Sequence, residues 1–370
     1  MIENAADDVV TANPLADQVK QSLRELDDPN SSAPLGDAVR GVAVSDDKAA
    51  VDIELGYPAE GWKASLEGLV RQHVLGYESI EQVTVDITSR IQAHAVQNGL
   101  APVEGVRNII AVASGKGGVG KSTLAANLAL ALQAEGATVG ILDADIYGPS
   151  QPRMLGMKGR PGTTDNQRIL PMQQHGIQCM SIGVLVDTDQ AMIWRGPMAT
   201  QALQQMLTDT LWQDLDYLFI DLPPGTGDVQ LTLAQRIPVA GSIIVTTPQD
   251  VALDDVRRAV SMFRKVNVPV LGIVENMSTH VCSNCGQEEA IFGQGGGQRI
   301  ASEMGLSLLG QVPLNADIGT STDQGVPTVA ADPEHPVSIR FREIARAASA
   351  RLARQQLNTK IRMPKISITD

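Results

Sequence analysis

Two short stretches hold the residue types that chemistry needs: Ser114 to Thr123, SGKGGVGKST, and His280 to Gln287, HVCSNCGQ. The first satisfies two patterns at once, G-x-G-x-x-G (Gly115, Gly117, Gly120) and G-x-x-x-x-G-K-S (Gly115 to Ser122). A dinucleotide fold uses its glycines for a tight turn and an acidic residue after the second strand for the ribose; it gives no role to Lys-Ser-Thr directly after the last glycine. A phosphate-binding loop uses all of them. The backbone N–H groups of Gly115, Lys116, Gly117, Gly118, Val119 and Gly120 and the following helix N-terminus cradle phosphates, Lys121 reaches the β and γ oxygens, and the Ser122 hydroxyl takes Mg²⁺, with Thr123 closing the motif. A merely structural turn does not account for four glycines, each costly in chain entropy. The second stretch is a C-x-x-C formed by Cys282 and Cys285. A tetrahedral zinc or a [4Fe-4S] cluster usually takes four ligands. The remaining cysteine, Cys179, lies about a hundred residues upstream. The pair is therefore half of a soft-metal site, or else a redox dithiol.

Carboxylates occur where a phosphate site needs them. DADIYGPS (143–150) offers Asp143 and Asp145 after a second apolar segment, and DLPPGTGD (221–228) opens with Asp221 after four apolar residues. A carboxylate at Asp221 can hold the Mg²⁺ shell through water. A lone Asp ending a strand is ordinarily a cap or turn residue; two of them in this order after a phosphate loop read instead as site residues.

These residues need a scaffold. From Asn108 onward aliphatic segments alternate with helical ones: NIIAVAS, the glycine loop with STLAANLALALQAEG, TVGILDAD, DYLFIDLPP, GSIIVTTP, a helix over 251–266, and PVLGIVENM. The alternation requires crossover connections and so an α/β fold with a doubly wound, mostly parallel sheet, whose ligands sit beyond the carboxyl ends of the strands. Ahead of it, helical spacing over 15–26, alternation over 39–45 and 49–57, a helix over 61–74 and a strand over 80–88 give a small α+β module of order αββαβ. The boundaries read as 1–90 for this module, 91–107 for a linker, 108–357 for the large domain and 358–370 for a tail.

Composition limits the function. Apolar residues make up 43% and aromatics 3%, so the core must be aliphatic and base-stacking surfaces are disfavoured. The net charge of −13 disfavours broad binding to nucleic acid or anionic lipid. Residues 1–100 hold 17 acids against 7 bases, while 101–370 hold 25 against 22, in keeping with a separate front module. Three cysteines do not make a disulfide framework in a chain of 370 residues, and neither a leader nor a run of 18 apolar residues is evident, so a cytoplasmic protein is expected.

The stretch KGGVGKST resembles the deviant phosphate loop of the MinD/ParA-like ATPases. That resemblance implies ATP as ligand. It also implies that Lys116, otherwise a solvated charge, crosses a homodimer interface to the partner's nucleotide, that Asp145 orients the attacking water, and that Asn276 in VENMS reads the base. Beyond the loop, DADIYGPSQPRMLG, WRGPM (194–198), DLPPGTGDVQLTLAQ, TTPQDVALDD, GIVENMS and CSNCG are similar to the Mrp/ApbC family of iron-sulfur cluster carriers over about residues 107–330. The front module resembles the MIP18-like domain of iron-sulfur assembly factors, although LGYPAEGW (55–62) lacks the cysteine that stand-alone members often carry there.

Given a two-fold dimer, Cys282 and Cys285 of both copies supply four thiolates for one bridging [4Fe-4S] cluster, and Ser283 and Gly286 keep the loop small. The expected function is an ATP-dependent carrier that hands the cluster to apo-proteins, with no membrane or nucleic-acid partner. Four thiolates also suit a structural zinc, as in a partition or patterning ATPase switch. An electron-transferring reductase would usually draw its ligands from two separated segments. The basic helical stretch 336–360 reads as packing on the sheet or as a membrane-surface helix.

Overall fold

The computed structural model describes residues 13–357, apart from 98, 166, 186–195 and 283. Trp194, Arg195, Ser283 and the 358–370 tail of the sequence reading thus lie outside the described residues. The chain divides between Ile91 and Gln92 into two units.

In the smaller unit, strict alternation over Lys48–Leu55 (β2) buries Ala49, Val51, Ile53 and Leu55 on one face. Helix α1 (Pro14–Arg24) is capped by the Asn13 side chain, which accepts from Leu15 N at 3.0 Å, and buries Val19 and Leu23. Helix α2 (Lys63–Val74) buries Leu66, Val70 and Val74 at i, i+4 and i+8. Strand β1 (Val39–Ser45) runs antiparallel to β2, and β3 (Gln82–Ser89) runs parallel to it, with α2 as the crossover. The loop at 57–62 turns Tyr57, Ala59 and Trp62 inward.

From Gln92 the stretch read as a linker belongs to the larger unit. His94 is buried, its N–H and Nδ1 both 3.0 Å from Asn108 Oδ1, and it forms an isolated bridge with Leu357. Strand β4 (Val106–Ser114) has already begun at Val106. These ties join irregular backbone to distant side chains, so no periodicity in the sequence announces them.

Strands β5 (Val139–Asp143), β6 (Met172–Gln174), β7 (Ile177–Ser181), β8 (Leu215–Asp221), β9 (Gly241–Thr246), β10 (Val270–Val281), β11 (Glu288–Glu289) and β12 (Leu308–Leu314) join β4 in one sheet. Its order is β11-β10-β9-β4-β8-β5-β7-β6, with β12 also pairing β10. The β4, β5, β7, β8, β9, β10 and β12 pairings are parallel; the short β6 and β11 run antiparallel to β7 and β10. Strands β5, β7 and β9 are buried along their whole length, which only helices on both faces allow. Cys179, in the middle of β7, is fully buried and packs as a small hydrophobe.

Helix α3 (Lys121–Ala134) follows β4, α4 (Gly196–Asp209) precedes β8, and α5 (Asp228–Arg236) and α6 (Asp250–Lys265) flank β9. Helix α7 (Gly296–Glu303) precedes β12, and α8 (Pro336–Ala353) packs against α3. Helix α3 is Ala- and Leu-rich and buried on nearly all sides from Leu124 to Leu132, each buried Leu contributing about 1.5–3 kcal/mol. The basic C-terminal segment spends its apolar side on packing: α8 buries Phe341, Ile344, Ala345, Ala348 and Leu352. Arg342 and Arg346 both donate to Glu135 Oε1, at 2.8 and 2.7 Å, which pairs a carboxylate that has no exposed surface. Among the described residues no helix is long and apolar enough to cross a membrane.

Candidate functional site: a phosphate loop and a cysteine hairpin

Strand β4 lies at the middle of the sheet, with β8 on one side and β9 on the other, so the loops leaving its carboxyl end meet those of its neighbours. At Gly115 the backbone passes so close to α6 that any side chain would strike Asp255. Gly120, the first cap of α3, has φ +82° and ψ 22°, and a Cβ there would run into the Asn276 amide. No side chain caps α3, so the N–H groups of its first turn face the loop, where oxygens of a bound phosphate are favoured. Gly117 and Gly118 are exposed and Val119 is buried beneath them.

Lys121 is 6% exposed and forms an ion pair with Asp221, which has no exposed surface. Its ammonium also lies 3.2 Å from Ser122 Oγ. The other Asp221 oxygen accepts from Gln151 Nε2 at 2.8 Å, and the same nitrogen donates to the Ser122 carbonyl at 3.0 Å. Lys116, by contrast, is exposed; its carbonyl accepts from Ser114 Oγ at 2.9 Å. Thr123 is half-buried, and its carbonyl accepts from Asn127 Nδ2.

Asp143 closes the second strand end. Its carboxylate accepts from the N–H groups of Asp145 (3.1 Å), Ser150 (3.0 Å) and Gln151 (3.0 Å) and from Ser181 Oγ (3.2 Å). Burial, and then the nearby Asp221 charge, push its carboxyl up to about 7, against the pull of those N–H groups and of Lys121. Asp145 is half-buried, and burial raises its carboxyl while Lys121 pulls the other way. The three acids thus surround one lysine. Ser122 Oγ and the Asp221 carboxylate, both beside the Lys121 ammonium, are hard oxygen donors of the kind a divalent cation takes.

Strand β10 links this region to the cysteines. Asn276 Nδ2 donates to the Val119 carbonyl at 2.9 Å, which places the residue against the phosphate loop. Met277 follows at φ +56°, and the β10–β12 register shifts between Asn276 and His280. The strand runs on to Val281, four residues beyond the segment read from sequence, and returns through a hairpin in which His280 faces Glu289 and Val281 faces Glu288. Cys282 N donates to Gln287 O at 2.9 Å, and Gly286 N to Cys282 O at 2.8 Å, which tightens the loop. Cys282 is half-buried and Cys285 exposed, both as free thiols. The N–H groups of Cys285 and Asn284 lower the Cys282 thiol below its usual range. His280, which the sequence alone reads as a turn residue, lies instead within β10, its Nδ1 3.3 Å from the Leu314 carbonyl.

The fold therefore gathers Gly115 to Thr123, Asp145, Asp221 and Asn276 at one site and sets Cys282 and Cys285 on a separate hairpin. Sequence reasoning gave no role to Gln151, which ties Asp221 to Ser122, or to Glu275, whose carboxylate accepts from Gly297 N and Gln311 Nε2. The one available signal for Gln151 was its place directly after DADIYGPS.

Comparison with known proteins agrees with this layout. The family model described as NUBPL iron-transfer P-loop NTPase matches residues 105–349, and one described as iron-sulfur cluster assembly protein matches 16–87. A Pseudomonas fragi protein named iron-sulfur cluster carrier protein is 53% identical over 279 residues, 75% of this chain and 97% of its own. A protein of the same name from Escherichia coli K12 is 50% identical over 322 residues, 85% of this chain and 86% of its own. Among solved structures, a nucleotide-binding protein from Archaeoglobus fulgidus in complex with ADP superposes with a TM-score of 0.56 at 36% identity, covering 64% of this chain and 93% of that one. The cell division ATPase MinD of Pyrococcus furiosus shares the fold, with a TM-score of 0.50 at 21% identity over 65% of this chain and 97% of its own.

Proposed function

Because this chain belongs to the NUBPL iron-transfer P-loop NTPase family, and so hydrolyses ATP and carries iron-sulfur clusters to apo-proteins, we propose that it works as a homodimer whose paired C-x-x-C loops hold one bridging [4Fe-4S] cluster. The observation that carries this reading is the half-site. Among the described residues no group of three or more His, Cys, Asp and Glu could hold a metal, so Cys282 and Cys285 have no third ligand of these types among them. A two-fold axis doubles them to four thiolates without any further motif. The cluster is cargo, and an exposed loop suits cargo: recipient thiolates must reach the same iron atoms.

In this reading Gly115 to Thr123 hold ATP, Lys121 leaves Asp221 for the β and γ oxygens, and Lys116 of each copy reaches the other's nucleotide. Ser122 and Asp221 hold Mg²⁺, which supplies charge neutralisation for the transferred phosphoryl group. Asp145 orients water, and Asn276, already against the loop, contacts the base. Three unpaired cysteines favour a reducing cytosol.

Anaerobic reconstitution with iron and sulfide, followed by iron analysis and mass measurement in solution, tests the proposal. The expected product is a brown dimer with about four iron atoms per two chains, lost in Cys282→Ala. A protein that binds zinc in place of iron, or stays monomeric with nucleotide and metal both supplied, overturns it.

A further inference from the structure

Gln151 is 1% exposed and makes three links inside the nucleotide site. Its backbone N–H donates to Asp143 Oδ2 at 3.0 Å, and its Nε2 donates both to Asp221 Oδ2 at 2.8 Å and to the Ser122 carbonyl at 3.0 Å. Both neighbours of the side-chain nitrogen are pure acceptors. The amide orientation is therefore dictated, since the flipped form would set an oxygen against a carboxylate and a carbonyl. The amide oxygen, Oε1, is left buried with no hydrogen-bond partner. A buried amide oxygen without a donor costs about 1–3 kcal/mol, a cost that a donor arriving with the ligand would relieve.

We propose that Gln151 is a positioning residue for the Mg²⁺-nucleotide complex: Nε2 fixes the Asp221 carboxylate relative to Ser122, and Oε1 accepts from a donor that arrives with that complex, such as water in the cation's shell. The inference rests on the reading of Ser122 and Asp221 as the Mg²⁺ residues and extends it. The two groups come from the first turn of α3 and the end of β8, about a hundred residues apart, and the Gln151 side chain, like Lys121, hydrogen-bonds to both residues. Lys121 also pairs with Asp221; when it moves to phosphate, Gln151 becomes the contact that keeps the carboxylate oriented. Outer contacts of this kind typically tune metal affinity or activity about tenfold to a hundredfold.

The test measures binding of a fluorescent ATP analogue to the full chain, first in EDTA and then across a Mg²⁺ titration, for wild type, Gln151→Leu, Gln151→Met and Asp221→Asn. Both Gln151 variants keep bulk and remove the amide, so Met serves if Leu does not fold by circular dichroism. The expected result is a Mg²⁺ half-saturation raised about tenfold or more, with analogue affinity in EDTA unchanged. An unchanged half-saturation overturns the inference, as does an equal loss with and without Mg²⁺, which would mark Gln151 as a packing residue only. If wild type shows no Mg²⁺ dependence, or Asp221→Asn leaves it intact, the Mg²⁺ reading itself has failed rather than the role of Gln151.

Discussion

Only six residues separate Asn276, which β10 sets against the phosphate loop, from Cys282 in the hairpin, yet the two sites are built on opposite principles. Around Lys121 the charges are buried and mutually held: Asp221 by Lys121 and Gln151, Asp143 by three N–H groups and a hydroxyl. At Cys282 and Cys285 the side chains are half-buried and exposed, and only the backbone of the loop is tied down. A site that holds a nucleotide through a charge-forming reaction gains from fixed dipoles in a water-poor setting. A site that must release its cargo to another protein gains from being incomplete within its own chain.

The largest expected contrast is in stability. Lys121→Ala leaves the fully buried Asp221 carboxylate without its cation, and removal of one member of a buried pair costs about 3–5 kcal/mol. Cys285→Ala changes an exposed thiol on a hairpin tip and should stay within about 0.5 kcal/mol of wild type. Denaturant unfolding of the protein free of nucleotide and cluster compares the two. Equal losses would end the distinction between a self-contained site and an open one.

The next contrast is in pH. Asp143 ionises at 3.8 in an ordinary setting and at about 7 here, because burial and Asp221 oppose its charge. A carboxyl with a raised value keeps its proton in the folded state, so its contribution to stability is fully present below about pH 4 and is lost as pH rises toward 7. The effect on cation binding has the opposite sign. Ionised Asp143 adds a negative charge beside Asp221, so Mg²⁺ half-saturation in the presence of nucleotide should fall as pH rises from 6 to 7, by at most about tenfold per unit, and level off above. Asp143→Asn should flatten that slope, whereas iron content after reconstitution should keep the same pH profile in both proteins. A slope that persists in Asp143→Asn would assign the titration elsewhere.

How much of this could be read in advance follows the same division. Strands β4, β8 and β9 are legible because both faces are buried, so their apolar runs are continuous; the phosphate loop is legible because its functional groups are consecutive in the chain. The C-x-x-C is visible as a pair of ligands, but the length of the strand that carries it is not, since Met277 interrupts the pattern with a positive φ and a register shift. Gln151 and the ties of His94 to Asn108 are invisible for a different reason. Their partners are far away in sequence, and a polar side chain in an irregular segment acquires a role only when folding brings those partners to it.

The smallest expected effect concerns the two thiols of the hairpin itself. N–H groups of Cys285 and Asn284 face Cys282 and favour its thiolate, while burial pushes Cys179 up to about 12. Alkylation needs the thiolate and access to it. In cluster-free protein iodoacetamide should therefore label Cys282 first, Cys285 a few-fold more slowly, and Cys179 only after unfolding, with mass spectrometry of timed digests giving the order. The gap between Cys282 and Cys179 should be large because both thiolate fraction and exposure separate them. The gap between Cys282 and Cys285 should be small because the fuller exposure of Cys285 works against the loop N–H groups that favour the Cys282 thiolate. That small gap is the sharper observation. If Cys285 reacted first, the loop would not favour a thiolate at Cys282, and the hairpin would be less preorganised for metal than its backbone hydrogen bonds imply. If Cys179 reacted alongside the pair in folded protein, β7 would be open to solvent, and the buried strands could no longer be set against the open hairpin.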